Sequence, residues 1–180
     1  MGMRSSSAYC AHAELRDGSR VCVRAIRPDD KEQLKIGFRR LSPRSVYRRF
    51  FHPVREITAD ALRDVTEVDF RDQVALVLTV DDETGERVIA EGRFVRVAPG
   101  ANRAEIGVIV GDAYQGRGAG TLLLQHLVRL ARAAGVRELV ALVLDENREM
   151  LDIIENSALP WQQSTEDGVR RVVMSLDAEP

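Results

Sequence analysis

The 180-residue chain carries 26 Lys plus Arg against 28 Asp plus Glu, a formal net charge of -2, with 44% apolar and 30% charged residues. That length suits one ordinary domain, and no apolar stretch approaches the ~18 residues a membrane-spanning helix needs. The near-neutral balance supplies no general attraction for a phosphodiester backbone, so neither membrane nor nucleic acid is an expected partner.

Residues 1–14 read as a frayed tail, since the start is Ser-rich and lacks the long hydrophobic core of a secretory signal. The folded, cytoplasmic domain is expected to span 15–180. Cys10 and Cys22 form no paired motif, and no Cys/His cluster appears at metal-ligand spacing along the chain, so neither a disulfide framework nor a metal site is expected.

Residues 21–26 alternate as a strand before Pro28 stops the pattern. Asp29 or Asp30 then caps a helix to about Arg40. Ser42-Pro43 is an N-cap followed by proline at the first helical position, opening a short helix through Phe50, and Thr58 caps a third that ends near Glu67. The run Val74-Ala75-Leu76-Val77-Leu78 marks a buried strand over 73–80. An acidic turn over 81–86 leads back through a partner strand at 87–97, and Pro99-Gly100-Ala101-Asn102 turns the chain into a third strand at 104–110. Apolar residues at helical spacing over 122–134 end at Gly135. A strand at 138–144, a helix at 147–156 and a hairpin of 161–165 with 169–176 around Asp167-Gly168 complete the chain. The order predicts a single α/β (α+β) domain, a mixed and mostly antiparallel twisted sheet of about seven strands with helices on both faces.

Between a strand and a long helix stands Gln115-Gly116-Arg117-Gly118-Ala119-Gly120. Glycines let main-chain N–H groups approach an anion, and a helix N-terminus adds unpaired donors and partial positive charge. A tight strand-to-helix turn is the plainer alternative. A dinucleotide fingerprint fails, because Thr121 stands three residues after Gly118, and a Walker loop fails, because no lysine follows Lys35.

The pattern Gln115-x-x-Gly118-x-Gly120 resembles the pyrophosphate signature of the GNAT acetyltransferases, and it lies where that family carries it, between the fourth strand and third helix. Residues 104–110 are similar to that fourth strand, and Asn147-Arg148-Glu149-Met150 to the start of the fourth helix. The segment from Arg40 to Phe51 resembles the bacterial branch that acetylates lysines of acyl-CoA synthetases. The resemblance implies a GNAT-like domain using acetyl-CoA as cosubstrate without a metal. Main-chain groups of Val108, Ile109 and Val110 would hold the pantetheine arm, while N–H groups of Gly116, Arg117, Gly118, Ala119, Gly120 and Thr121 would hold the pyrophosphate, with Gln115 also counted in the cofactor-binding loop. The Arg117 side chain would be free to add a charged contact. Asn147 would either touch the cofactor near its thiol or simply cap its helix.

An amine must lose its proton before attacking a thioester, since a lysine ammonium has a pKa near ~10.4. Glu105, a charge in an otherwise apolar strand, matches the base found there in part of the family. On strand alternation it shares a face with Gly107 and Ile109, where the small glycine would leave room for substrate. Pairing with Arg93 or Arg103 is the alternative. Many relatives carry a tyrosine seven residues after the Asn to protonate the leaving thiolate, but here that residue is Ile154.

The resulting expectation is direct transfer of acetyl to a primary amine, a protein lysine of an acyl-CoA synthetase-like partner or else a small amine, by a monomer or homodimer. A non-catalytic acyl-CoA-binding module is the rival reading. The basic run Arg39, Arg40, Arg44, Arg48 and Arg49 would face an acidic acceptor or simply solvent.

Overall fold

Helix boundaries follow from short-range chemistry. In the computed structural model, which describes residues 6–83 and 85–177, Ser42 accepts a hydrogen bond from the Ser45 N–H at the start of α2 (Pro43–Phe50). Thr58 does the same for Ala61 at the start of α3 (Ala59–Thr66). Asp30, which accepts from the Arg27 N–H at 2.7 Å, precedes α1 (Lys31–Arg39). It also takes one side of the buried Arg24 guanidinium at 2.7 Å, with Glu86 on the other at 2.7 Å. This network ties the start of α1 to the sheet.

Eight strands form one sheet: β1 (Cys10–Glu14), β2 (Arg20–Ala25), β3 (Gln73–Asp82), β4 (Gly85–Arg96), β5 (Arg103–Val110), β6 (Glu138–Leu144), β7 (Trp161–Glu166) and β8 (Val169–Ser175). Their order is β1-β2-β3-β4-β5-β6-β8-β7. Every neighbouring pair is antiparallel except β5 and β6. The eighth strand corrects the expected tail. Cys10–Glu14 is an ordered edge strand paired with β2 from Cys10↔Arg24 to Glu14↔Arg20. Residues 1–5 of the expected tail, and Thr84 of the acidic turn, lie outside the described residues. The closing hairpin completes the sheet through β8 against β6, and its outer strand β7 is exposed throughout.

One face of the sheet is covered by α4 (Ala119–Ala133). Leu123, Leu124 and Leu127 meet Val23, Leu76, Phe94, Leu139 and Met174, all essentially buried. Burying each such side chain stabilises the fold by roughly 1.5–3 kcal/mol before entropy is counted. The other face buries Ile26, Ala75 and Val77 under Leu34 of α1 and Val65 of α3. α5 (Arg148–Glu155) packs beside α4 through Leu151 and Ile154. Among the described residues, no helix is long and apolar enough to cross a membrane.

Candidate active site

The parallel pair β5 and β6 stays joined only over Arg103↔Glu138, Ala104↔Leu139 and Glu105↔Val140, while the other edge of β5 remains paired with β4 as far as Val110. Beyond Glu105 the two strands part. A cleft of about 350 Å³ lies past this parting, between β5, the glycine loop, α2 and α5. Its walls include Val108, Ile109 and Val110 of β5, then Gln115, Gly116, Gly118, Ala119, Gly120 and Thr121, then Asn147, Met150 and Ile153. An extended chain entering beside β5 meets a strand edge that lacks its neighbour, the geometry of an added strand.

The glycine loop closes one end of this cleft. Gly116 (φ +73) and Gly118 (φ +91) take left-handed conformations, which a side chain would strain. The first main-chain bond of the α4 ladder runs from the Leu122 N–H to the Gly118 carbonyl at 3.0 Å. The N–H groups of Ala119, Gly120 and Thr121 therefore precede the helical ladder, and no acidic residue stands in the first turn. Gly120 answers a different need. A Cβ there would lie 2.7 Å from Ile153 Cδ1, so its bareness lets α5 close against α4. The loop is thus built to present donors and positive potential to an anion.

Gln115 lines the cleft, yet its amide holds the loop in place. Nε2 donates to Ser45 Oγ at 3.0 Å and to the Val110 carbonyl at 3.1 Å. Asp112 completes the lock by accepting from the Ser42 N–H at 2.9 Å and the Ser45 hydroxyl at 2.7 Å. Burial alone would raise the Asp112 pKa, but these hydrogen bonds outweigh it and hold the carboxyl below its ordinary value.

Arg117 corrects an expectation. Its guanidinium is not free: it donates to Asp17 at 2.8 Å and lies 5.1 Å over the Tyr114 ring, outside the cleft wall. The charge at the loop comes instead from Arg16, in the β1–β2 turn. Its N–H donates to the Arg117 carbonyl at 3.0 Å, and its side chain lies against Gly118 and lines the cleft. No signal along the chain marks Arg16, because its place depends on a contact a hundred residues away.

Asn147 caps α5 and also borders the cleft. Its Oδ1 accepts the Met150 N–H at 3.4 Å.

Glu105 is exposed at the apex where β5 and β6 part. The alternative pairing is not seen: Arg93 bonds Glu91 at 2.7 Å and Arg103 bonds Glu138 at 2.6 Å. The room expected over Gly107, however, is filled. A Cβ at Gly107 would sit 2.8 Å from Arg49 Cζ, so the Arg49 guanidinium lies flat against that strand position. Burial pushes the Arg49 pKa down, Glu91 opposes the shift and Arg93 adds to it. Arg48, one residue earlier, bonds Glu149 at 2.8 Å and the Glu146 carbonyl at 3.2 Å, bridging α2 to the start of α5. The basic run therefore divides. Arg48 and Arg49 line the cleft, while Arg39, Arg40 and Arg44 are exposed, Arg40 on the wall of a second groove.

On the other side of Arg49 and Ile109 opens a larger groove of about 780 Å³, walled by Leu34, Phe38, Leu41, Phe50, Val54 and Ile57. Its floor carries Glu91 and Arg93 of β4.

A parting parallel strand pair with a glycine loop at a helix N-terminus defines a class, and the sequence matches the Acetyltransferase (GNAT) family over residues 40–155; the chain belongs to that family. It is 36% identical over 148 residues to acetyltransferase Pat of Mycolicibacterium smegmatis, an alignment covering 82% of this chain and 44% of that protein. The chain thus spans less than half the length of that relative. It is 27% identical to acetyltransferase PA5475 of Pseudomonas aeruginosa, over 87% of this chain and 83% of that one. The crystal structure of the GNAT domain of S. lividans PAT superposes with a TM-score of 0.84 at 35% identity, covering 92% of this chain and 96% of that one.

Proposed function

We propose that the protein transfers an acetyl group from acetyl-CoA to the ε-amine of a protein lysine by direct attack. The observation that carries this reading is the cleft beside β5 past its parting from β6, closed at one end by the N–H groups that precede the α4 ladder; Glu105 stands exposed at the parting point, outside the cleft wall. Acetyl-CoA supplies the activated thioester. Gly116, Gly118, Ala119, Gly120 and Thr121, with Arg16, hold its pyrophosphate, and Val108, Ile109 and Val110 hold the pantetheine arm in strand-like bonds. That direction of travel brings the reactive end toward Gly107, where Arg49 stands.

Glu105 accepts the ammonium proton, directly or through water, and so frees the attacking lone pair. Its solvent exposure gives the proton a path away from the site. The main-chain donors near Val108 and the Arg49 cation stabilise the negative charge that develops as the amine adds. Ile154 is buried in the core and offers no acid, so the thiolate, whose thiol has a pKa of about 8.5, leaves without a donor from that position of α5.

Two supports favour a protein acceptor: the resemblance of residues 40–51 to the bacterial branch that acetylates protein lysines, and the open groove with apolar walls between α1, α2, α3 and β4. The test couples thiol release to mass analysis. Purified acyl-CoA synthetase, polyamines and amino acids are each mixed with acetyl-CoA and enzyme. A 42-dalton-class mass gain on the synthetase (roughly one acetyl for one proton) is expected by general acyl-transfer chemistry, and modification of small amines alone would sink the protein-lysine assignment. Binding without any acceptor-dependent thiol release would instead indicate a non-catalytic module. In the same assay Glu105→Gln is expected to lower kcat by about 100-fold or more while leaving the KM for acetyl-CoA unchanged. An unaltered kcat and pH profile would remove Glu105 as the base.

A further inference from the structure

Outside the cleft, the β1–β2 ladder gathers a second set of chemically active side chains. His12 stands directly opposite Cys22, and Cys10 follows on the same face two residues along β1. That face is turned away from α4, because the alternate residues Val21 and Val23 are the ones buried in the α4-side core. The two Sγ atoms lie 3.3 Å apart, and one ligand atom from each of the three residues falls within 4.8 Å of the others. Cys10 and His12 are exposed and Cys22 is half-buried, so the group is open to a solute from the sheet edge.

The register discriminates between the two chemistries that paired thiols allow. Cys10 and Cys22 are diagonal partners, which on a ladder stand roughly 7–8 Å apart at Cα, at the limit of what a disulfide spans without backbone movement. Two thiolates on a tetrahedral zinc ion, each about 2.3 Å from the metal, lie about 3.8 Å apart. The sulfur separation here needs only side-chain adjustment to meet that value, and the imidazole opposite Cys22 supplies the nitrogen that a disulfide would leave unused.

We propose that Cys10, His12 and Cys22 form a three-ligand site for a thiophilic cation, zinc(II), with a fourth position open to water. The soft sulfur pair selects such an ion over magnesium or calcium. On binding, both thiols release their protons to solvent and the neutral imidazole contributes a lone pair, so the ion's charge is balanced by two thiolates. The ion would clamp the edge strand to its neighbour in the hairpin whose turn carries Arg16 and Asp17 to the glycine loop.

The test uses the full chain, free of any tag and kept reduced, titrated with zinc against a chromophoric chelator and in parallel with cobalt(II). One bound equivalent is expected, with the thiolate-to-cobalt charge-transfer band, and a melting temperature that rises with zinc. Cys10→Ser, Cys22→Ser and His12→Ala should each lose the cobalt band and the zinc-dependent rise, while metal-free melting shows that the variants remain folded. No bound equivalent in the wild-type chain overturns the proposal. So does binding that survives Cys10→Ser, or a Cys10–Cys22 disulfide that persists under reductant.

Discussion

Among single side chains, Arg16 shows most clearly how the site depends on the fold. It lies over Gly118, where a pyrophosphate would meet the first turn of α4. A charge-assisted contact contributes about 1.5 kcal/mol or more, so Arg16→Ala is expected to raise the KM for acetyl-CoA about tenfold with little change in kcat. Arg117→Ala, whose guanidinium is held by Asp17 away from the cleft, should do so less; steady-state kinetics on both variants checks the order. Asp112 acts on stability. Its pKa is depressed in the folded state, so its contribution is fully present above the unfolded carboxyl value near ~3.9 and is lost as the pH falls through the lower folded value. Asp112→Asn is therefore expected to melt below the wild type near neutral pH, with the gap narrowing in acid below about pH 4. Melting curves across that range measure it.

At the scale of an element, α2 joins the two halves of the site. Its N-terminus is locked to the glycine loop through Ser42, Ser45, Asp112 and Gln115, and its last turn carries Arg48 and Arg49 inward. Ser42→Ala removes the cap, a loss of about 1 kcal/mol, which in a domain of this size lowers the melting temperature by roughly 2–4 °C. Calorimetry should show that shift, together with some loss of activity as the loop loosens. The boundaries of α2 and α3 were legible because a cap is a local event: Ser42, Pro43 and Thr58 each act within three residues. The direction of Arg49 was not legible. It depends on Gly107 of a strand more than fifty residues on, and the same basic run is compatible with a solvated face.

For the whole molecule, the decisive feature is the sheet's own irregularity, the parting of β5 from β6 after Glu105. The succession of strands along the chain and the β3–β4–β5 meander could be read from hydrophobic runs and turn residues, since those hairpins announce themselves locally. The edge strand β1 could not. Its Cys-Ala-His-Ala-Glu segment has no β-branched residue and owes its extended form to pairing with β2. The same cross-strand pairing assembles Cys10, His12 and Cys22, which no spacing along the chain would reveal. The glycine loop, by contrast, was legible because its residues, its turn and its helix are contiguous; only the charge beside it had to come from elsewhere. In the proposed complex this loop holds the pyrophosphate of acetyl-CoA while the arm lies along β5. Titration calorimetry comparing acetyl-CoA with acetyl-pantetheine, which lacks the pyrophosphate and nucleotide, tests it most directly. Two charge-assisted contacts are worth roughly 3 kcal/mol, so acetyl-pantetheine is expected to bind about 100-fold more weakly, with Gly118→Ala narrowing that difference. Equal affinity for the two compounds would rule out this binding mode.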